Sequence, residues 1–320
     1  MRKKGSDNNV KTYPGMSLVL GGPTGIGKSV VAYLVAKEIN GEVISADSRQ
    51  FYREINIGTD KVPLWMRREV PHHLIDFLSL KDDFDVYSFA KLAQEKILEI
   101  KGRNRVPVIV GGSGLYLRSL IKGIFTIPDA DRERQKEIRR KLEEKTTEAL
   151  YAELLVVDSR LKESIHPNDR KRIRRALEVY YLTGRQMSFW QKQNSAPVLT
   201  EDRILYFILF RDRQEMYERI DKRVDKMFED GWVDEVRQLK ERGFSGYLRD
   251  KAPLGYVDIL GYLEDSCTLE ELKFRIKQKT RNFAKKQLTW FRRENGTWLQ
   301  ISGDGSNVIE EILLKFESDV

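Results

Sequence analysis

The chain of 320 residues is poor in cysteine, proline and histidine. Its one cysteine, Cys267, excludes an intramolecular disulfide framework and a zinc site of several thiolates, and it favours a reducing compartment. The 9 prolines and 22 glycines, with 40% hydrophobic residues, exclude collagen-like and disordered classes. No apolar run approaches the ~20 residues that cross a bilayer, and residues 1–9 contain no apolar signal segment. We therefore expect a globular, cytoplasmic protein without a membrane partner.

The front of the chain alternates short apolar strands with helices. The strands are predicted at 16–20, 42–46, 106–110 and 204–210, and a last one at 298–301. Helices are predicted at 29–39 and 85–101, and an N-terminal signal at Asp212 and Glu215 starts another. Further helices should follow to Arg293, the first of them closing near Gly243. The pattern predicts an α/β fold in which helices cover both faces of a parallel sheet.

The strand pattern is interrupted between residues 129 and 193, where charged helical stretches take over. A length of 320 residues exceeds what one core usually organises, so a second unit is expected. We predict a disordered N-terminal tail at 1–14, a catalytic core at 15–128 and 198–320 that includes C-terminal helices, and an inserted all-helical domain at 129–197.

Positive charge is concentrated in two segments. Residues 166–193 contain seven basic and two acidic residues, and residues 273–293 contain nine basic residues and no acid. Since the whole chain carries +8, the remainder carries −6. Such clustering favours a polyanionic partner such as nucleic acid. In the second segment Leu272, Ile276, Phe283 and Trp290 form a packing stripe, and Lys273, Lys277, Arg281 and Lys285 form a stripe expected to point outward, although a basic core-packing helix is the alternative.

A P-loop pattern follows the first predicted strand and opens a helix. Its residues are Gly22, Pro23, Thr24, Gly25, Ile26, Gly27, Lys28 and Ser29. Backbone amides and the helix N-terminus form an anion cradle, Lys28 reaches a phosphate, and the Ser29 hydroxyl can hold Mg²⁺. The core is therefore predicted to be P-loop NTPase-like. The pattern indicates a diphosphate or triphosphate ligand, without specifying a nucleotide.

Other candidate residues stand at the ends of strands or on the helix after residue 210. Asp47 should face the P-loop and could be a Mg²⁺ ligand, a general base or an N-cap. Ser113 lies in a second glycine turn at a strand end. Arg219 and Arg223 share a helix face and could clamp a pyrophosphate, or else pair with Asp225 or neighbouring acids. Adjacent His72 and His73 are a poor metal site, so local hydrogen bonding is the safer interpretation.

Taken together, these residues resemble the tRNA dimethylallyltransferases, also called tRNA isopentenyltransferases. The matching blocks occur in family order and cover nearly the whole chain: GPTGIGKS at 22–29, ISADSRQFY at 44–52, PHHLIDF at 71–77, VGGSGLYL at 110–117, HPNDRKRIRRALEVY at 166–180 and TRNFAKKQLTWFRR at 280–293. Ser113 stands where many members have threonine, and residues 58–61 depart from the commoner GTAKP. The zinc finger of many eukaryotic members is excluded by the single cysteine.

The resemblance implies transfer of a dimethylallyl group from dimethylallyl pyrophosphate to N6 of adenosine 37 in tRNAs that read codons starting with U. It implies Asp47 as general base and Ser113 beside the reacting centre. The P-loop, Lys28, Mg²⁺ on Ser29 and an arginine, Arg219 or Arg223, would stabilise the leaving pyrophosphate. A monomer is expected, since nothing in the sequence demands a dimer.

The resemblance also implies which residues bind tRNA. The target base must leave its stack to be modified, and its edge would be read by Asp47, Ser48, Arg49 and Gln50. The inserted domain would bind the anticodon stem loop through Lys171, Arg172, Ile173, Arg174 and Arg175. On the C-terminal helix, Arg281, Asn282 and Gln287 would line the pocket or contact the RNA backbone.

Three alternatives explain less of the sequence. An adenylate isopentenyltransferase acting on free AMP, ADP or ATP would not need the basic insertion. A small-molecule P-loop kinase would explain residues 22–29 only. A non-catalytic RNA-binding module would leave the P-loop and Asp47 without a role.

Overall fold

The computed structural model describes residues 13–125, 127, 132–193, 197–199, 203–264 and 267–318. These residues form two compact units, one comprising the described residues up to Leu120 and from Leu199 onward, the other Ile121–Val198. The second unit thus starts before the predicted boundary at 129, because the break falls in the helix that follows the fourth strand and not where strand patterns end. Of the predicted N-terminal tail, residues 1–12 lie outside the described residues. Tyr13 is buried and packs edge-on against Phe316, so it does not belong to a tail.

The first unit contains one parallel sheet of six strands in the order β3-β2-β4-β1-β5-β6. The strands are β1 (Met16–Gly21), β2 (Gly41–Ser45), β3 (His72–His73), β4 (Val106–Gly111), β5 (Arg203–Phe210) and β6 (Thr297–Gln300). Side chains of a strand alternate between the two faces. Since Leu18, Val19 and Leu20 are all buried, both faces of the sheet are covered, as the sequence predicted. Strand β3 was missed because two residues are too short to show an alternation.

Fourteen α-helices lie in the described residues. They are α1 (Lys28–Glu38), α2 (Leu64–Glu69), α3 (Val86–Gly102), α4 (Gly114–Lys122), α5 (Arg132–Glu143), α6 (Thr147–Val157), α7 (Arg170–Thr183), α8 (Met187–Lys192), α9 (Arg213–Glu229), α10 (Trp232–Glu241), α11 (Ser245–Lys251), α12 (Tyr256–Tyr262), α13 (Leu269–Phe291) and α14 (Ser306–Ser318). Two short 3₁₀ helices, Ile57–Thr59 and Ser159–Glu163, complete the helical elements. None of the helices in the described ranges is long and apolar enough to cross a membrane.

The helix predicted to start at Asp212 is α9, and the next predicted helix, expected to close near Gly243, is α10, which ends at Glu241. Helix α9 ends at Glu229, and Gly231 adopts a φ of 92° before α10 begins. A left-handed backbone at this point ends the first helix, and glycine adopts it without strain. Asp212 caps α9 as predicted, accepting from the amides of Gln214 and Glu215.

Among its described residues the second unit has helices as its only regular elements. Its apolar core includes Leu142 from α5, Leu150 and Leu154 from α6, and Ile173 and Leu177 from α7. These residues recur at helical spacing, which buries one stripe of each helix and leaves the charged stripes exposed.

Candidate active site

The carboxyl ends of three neighbouring strands bring the predicted motifs together. Gly21 of β1 pairs with Gly111 of β4, and Ser45 of β2 pairs with Val110. The turns that follow these three strands therefore emerge side by side. In open parallel sheets this edge is where ligands bind.

The P-loop has the backbone geometry that its glycines predict. Gly22 has a φ of 145°, and a Cβ there would lie 2.3 Å from the carbonyl oxygen of Leu209. Gly27 has a φ of 96° and directly precedes α1. Only glycine fits both positions without displacing backbone, so the loop can direct its amides toward an anion.

A cavity of about 990 Å³ lies at this edge of the sheet, entirely within the first unit. Its walls include Lys28 and Ser29 of the P-loop, Asp47 to Gln50 after β2, and Gly111 to Ser113 after β4. Arg219 and Arg223 of α9 and Gln287 of α13 also line it. The cavity thus brings all four predicted catalytic residues to one space.

Lys28 lies among opposing charges in this cavity. Its Nζ donates to the carbonyl oxygen of Pro23 at 2.5 Å. Burial lowers the pKa of Lys28 to about 8, and the carboxylate of Asp47 offsets part of this effect, while the charge of Arg223 adds to it. A bound polyanion would raise the pKa of Lys28 again.

The two arginines of α9 bind the P-loop itself. Arg219 Nε donates to the carbonyl oxygen of Gly25 at 3.2 Å, and Arg223 Nη1 donates to Thr24 Oγ1 at 2.8 Å. The alternative pairing with Asp225 is wrong, because Asp225 binds Lys277. Arg223 does pair with another acid, Asp60, whose Oδ2 lies 3.2 Å from its Nε.

A third arginine was missed by sequence reasoning. Arg211 is buried at the end of β5, donating from Nε to the carbonyl oxygen of Ile26 at 2.9 Å and from Nη2 to that of Gly303 at 3.0 Å. The signal was available, since Arg211 directly follows a strand that neighbours β1. Arg211 thus binds the backbone of the P-loop.

Asp47 forms a tight turn and still has one free oxygen. The amide of Arg49 donates to its Oδ1 at 2.9 Å, which is the turn that the capping alternative anticipated. Its Oδ2 accepts no hydrogen bond from the described residues. The neighbouring amide of Ser48 donates to Ser113 Oγ at 3.2 Å, so the turns after β2 and β4 are joined beside the carboxylate.

Two predicted tRNA-binding glutamines are engaged within the protein. Gln50 is buried; its Oε1 accepts from Ser45 Oγ at 3.1 Å, and its Nε2 donates to the carbonyl oxygens of Thr59 and Asp60. Gln287 accepts from the amide of Thr24 and donates to the carbonyl oxygen of Gly112, both at 2.9 Å. It joins the P-loop to the turn after β4.

The basic helix α13 differs from its predicted pattern. Lys277 pairs with Asp225 at 2.7 Å and Arg281 with Asp221 at 2.7 Å, so these members of the outward stripe are neutralised by α9. Phe283, expected in the packing stripe, is 47% exposed and lines the cavity. Asn282 is exposed.

The predicted RNA-binding residues of α7 divide into exposed and buried groups. Ile173 is 0% exposed in the core of the second unit, so the prediction that it contacts RNA is wrong. Arg172 pairs with Asp169, Arg174 with Glu143 and Arg175 with Glu178. Lys171 is exposed, and it forms no ion pair within the described part of the unit.

The adjacent histidines are structural. His72 Nδ1 lies 2.7 Å from the carbonyl oxygen of Val70, and His73 Nε2 lies 2.6 Å from the buried carboxylate of Glu42. Within the described ranges no three His, Cys, Asp or Glu side chains are grouped to hold a metal. Local hydrogen bonding, as predicted, engages both rings, while the buried Nε2 of His72 has no partner among the described residues.

The fold and this cavity define an α/β protein with a P-loop sequence pattern at the edge of a parallel sheet and a second, helical unit. A family model, IPP transferase, matches residues 50–294. The chain therefore belongs to the IPP transferase family, which confirms the resemblance seen in its motifs.

Curated relatives and solved structures extend this match over most of the chain. The chain is 41% identical over 297 residues to tRNA dimethylallyltransferase 1 of Citrifermentans bemidjiense, covering 92% of this chain and 95% of that protein. It is 40% identical over 298 residues to the tRNA dimethylallyltransferase of Thermotoga petrophila, covering 93% and 96%.

Two solved structures share the fold. The full-length tRNA isopentenylpyrophosphate transferase of Bacillus halodurans aligns with a TM-score of 0.67 at 35% identity, covering 95% of this chain and 97% of that one. A eukaryotic dimethylallyltransferase acting on tRNA aligns with a TM-score of 0.80 at 28% identity, covering 95% and 80%.

Proposed function

We propose that this protein transfers a dimethylallyl group from dimethylallyl pyrophosphate to N6 of adenosine 37 in tRNAs that read codons starting with U. Relatives that match almost the whole chain carry the name tRNA dimethylallyltransferase. The observation that carries the proposal is the cavity, in which the cationic P-loop and a carboxylate with a free oxygen line the same space. A reaction on tRNA also implies a cytoplasmic site of action.

The bond changes follow from the chemistry of the two substrates. The N6 amine forms a bond to C1 of the dimethylallyl group, the C1–O bond breaks, and its electron pair leaves with pyrophosphate. The amine must lose a proton, which the free Oδ2 of Asp47 can accept. Since the lone pair of an exocyclic amine is delocalised into the ring, removal of this proton helps the attack.

Fixed cations stabilise the charge that develops on the leaving pyrophosphate. Lys28, Arg219 and Arg223 all lie at the P-loop, and their positions are set by hydrogen bonds to its backbone or to Thr24. Donors held in place before the reaction cost no reorganisation when charge appears. Ser113 lies in the turn after β4 and accepts from the amide of Ser48 in the turn after β2, where its hydroxyl can bond a group near the reacting carbon.

The residues present fit Mg²⁺ as a cofactor. Ser29 lines the cavity directly after Lys28, and its hydroxyl is the oxygen ligand that a P-loop supplies. Mg²⁺ usually keeps several waters and binds through one or two protein oxygens and the phosphates, so a cluster of acids is not needed. When bound, the ion would neutralise charge on pyrophosphate.

We further propose which exposed and half-buried groups bind the acceptor. On α7 these are Lys171, together with Arg172, Arg174 and Arg175, which would exchange their acidic partners for phosphates of the anticodon stem loop. Ser48 and Arg49, next to Asp47, remain candidates for reading the adenine. Asn282 and Arg281 are candidates on α13. Gln50 and Gln287 support the site from within, because their amides are already bonded to the protein.

The proposal is tested by incubating the protein with Mg²⁺, dimethylallyl pyrophosphate and either tRNA or AMP. We expect the tRNA alone to gain the mass of one dimethylallyl group in place of a hydrogen. Gain of mass by AMP would favour an adenylate isopentenyltransferase. Consumption of ATP with no prenyl transfer would favour a kinase.

A further inference from the structure

An acidic side chain stands among the cations that line the phosphate-binding cavity. Asp60 lines the cavity, its side chain is 57% exposed, and its Oδ2 lies 3.2 Å from Arg223 Nε. It falls in the stretch 58–61 where the sequence departs from the family pattern. A carboxylate here opposes the binding of an anion, so its presence needs an explanation.

The backbone of Asp60 is held firmly in place. Its φ of 51° and ψ of 54° are left-handed, and its amide donates to the carbonyl oxygen of Ile57 at 3.0 Å. Gln50 Nε2 binds its carbonyl oxygen at 3.2 Å. The direction of the carboxylate is therefore a feature of a built loop.

The loop before Asp60 is anchored on α10. Glu235 accepts from the amides of Asn56 and Ile57 at 2.9 and 3.0 Å. Gly58 packs so closely on Trp232 that a Cβ would lie 2.4 Å from the indole ring. With both ends of the turn fixed, Asp60 faces Arg223 without help from a ligand.

Arg223 is shared between this carboxylate and the P-loop. Its Nη1 binds Thr24 Oγ1 at 2.8 Å while its Nε faces Asp60. We propose that Asp60 is a positioning residue that acts through Arg223: its carboxylate competes with pyrophosphate for the guanidinium and weakens the binding of pyrophosphate, so that the product can leave. The inference rests on the proposed function, since it takes pyrophosphate as the ligand of the P-loop.

The test is calorimetric titration of inorganic pyrophosphate into the full chain, with and without Mg²⁺. The variant is Asp60→Asn, because asparagine adopts the left-handed backbone readily and keeps the size of the side chain. The variant removes the negative charge of Asp60, which pairs with Arg223 and repels the anion. Pyrophosphate binding should therefore tighten about tenfold. Asp60→Gly, which also tolerates this φ, should tighten it similarly.

The matched control is Asp225→Asn, which neutralises a carboxylate of α9 that pairs with Lys277 of α13 and lies outside the cavity lining. It should leave pyrophosphate affinity within twofold of the unmodified chain. Steady-state kinetics supply a second readout: Asp60→Asn should lower the KM for the donor and make pyrophosphate a stronger product inhibitor. If the role of Asp60 were purely structural, the variant would raise the KM for the donor and make pyrophosphate a weaker product inhibitor.

Several results would overturn the inference. Equal or weaker pyrophosphate binding by both Asp60 variants, with unchanged melting temperatures, would show that the carboxylate does not lower the affinity for pyrophosphate. A loss of binding confined to Mg²⁺-containing buffer would make Asp60 a metal ligand instead. Failure of the unmodified chain to bind pyrophosphate would remove the proposed function as well, whereas equal binding by chain and variants removes this inference alone.

Discussion

Replacement of Gln287 by alanine should loosen the phosphate-binding loop. In the structure its side chain bridges the amide of Thr24 and the carbonyl oxygen of Gly112, each at 2.9 Å, in a partly buried setting. A hydrogen bond of this kind contributes about 0.5–1.5 kcal/mol net. Loss of both should therefore cost about 1–3 kcal/mol, which corresponds to a roughly 5- to 150-fold decrease in kcat/KM for the donor.

The assay is steady-state prenyl transfer with varied dimethylallyl pyrophosphate, alongside titration with inorganic pyrophosphate. Gln287→Glu should be at least as damaging, because a carboxylate can accept from Thr24 but cannot donate to Gly112 and repels the anion. Gln278→Ala is the matched control, since Gln278 lies exposed on the same helix. If Gln287→Ala keeps kcat/KM within twofold of the unmodified enzyme, the bridge does not position the P-loop.

Three further results are expected. Asp47→Ala should lower the transfer rate by roughly 10² to 10⁴ at nearly unchanged tRNA affinity in a binding assay; near-normal turnover would exclude Asp47 as the base. The pKa of Lys28 is about 8 without ligand, and a bound anion raises it, so pyrophosphate binding takes up a proton and its affinity should fall as pH rises above about 8; Lys28→Arg, which stays charged, should remove that decline in calorimetry, and an unchanged decline would assign it to another group. Neutralising Lys171 and Arg172 should weaken tRNA binding and lower its dependence on log salt concentration by about one unit for each lost phosphate contact; an unchanged slope would place the RNA elsewhere.

Local signals predicted the sheet and the P-loop because they depend on neighbouring residues. Apolar runs mark strands β1, β2, β4 and β5, and glycine spacing marks a loop whose backbone no other residue can adopt. The convergence of the P-loop, Asp47 and Ser113 followed from a rule about strand ends. Each of these inferences needed only the order of elements along the chain.

Ion pairs between residues far apart in the sequence could not be predicted from local patterns. Lys277 and Arg281 count as excess charge in their own segment, yet their partners Asp225 and Asp221 lie on another helix, 52 and 60 residues away. Local charge counts therefore overstate the positive surface of α13. The hydrogen bonds of Gln287 could not be predicted for the same reason, since its partners come from loops far away in the sequence.

The sequence predicted separate helices after Asp212 but not the residue at which the first one ends, because a single glycine such as Gly231 inside a helical pattern is often tolerated. Here the left-handed φ of 92° shows that it ends the helix. The break separates α9, whose arginines bind the P-loop, from α10, whose Glu235 anchors the loop that presents Asp60. The positions of the arginines of α9 and of Asp60 thus both depend on the turn at Gly231.

The most direct test of the central claim compares two anticodon stem-loop RNAs that differ only at position 37. One carries adenosine there, and the other carries inosine, which has an oxygen in place of the amine. With Mg²⁺ and dimethylallyl pyrophosphate, mass spectrometry should show one dimethylallyl group on the adenosine RNA, one pyrophosphate released for each group transferred, and no product from the inosine RNA. Equal modification of both RNAs, or pyrophosphate release without modified RNA, would contradict the account.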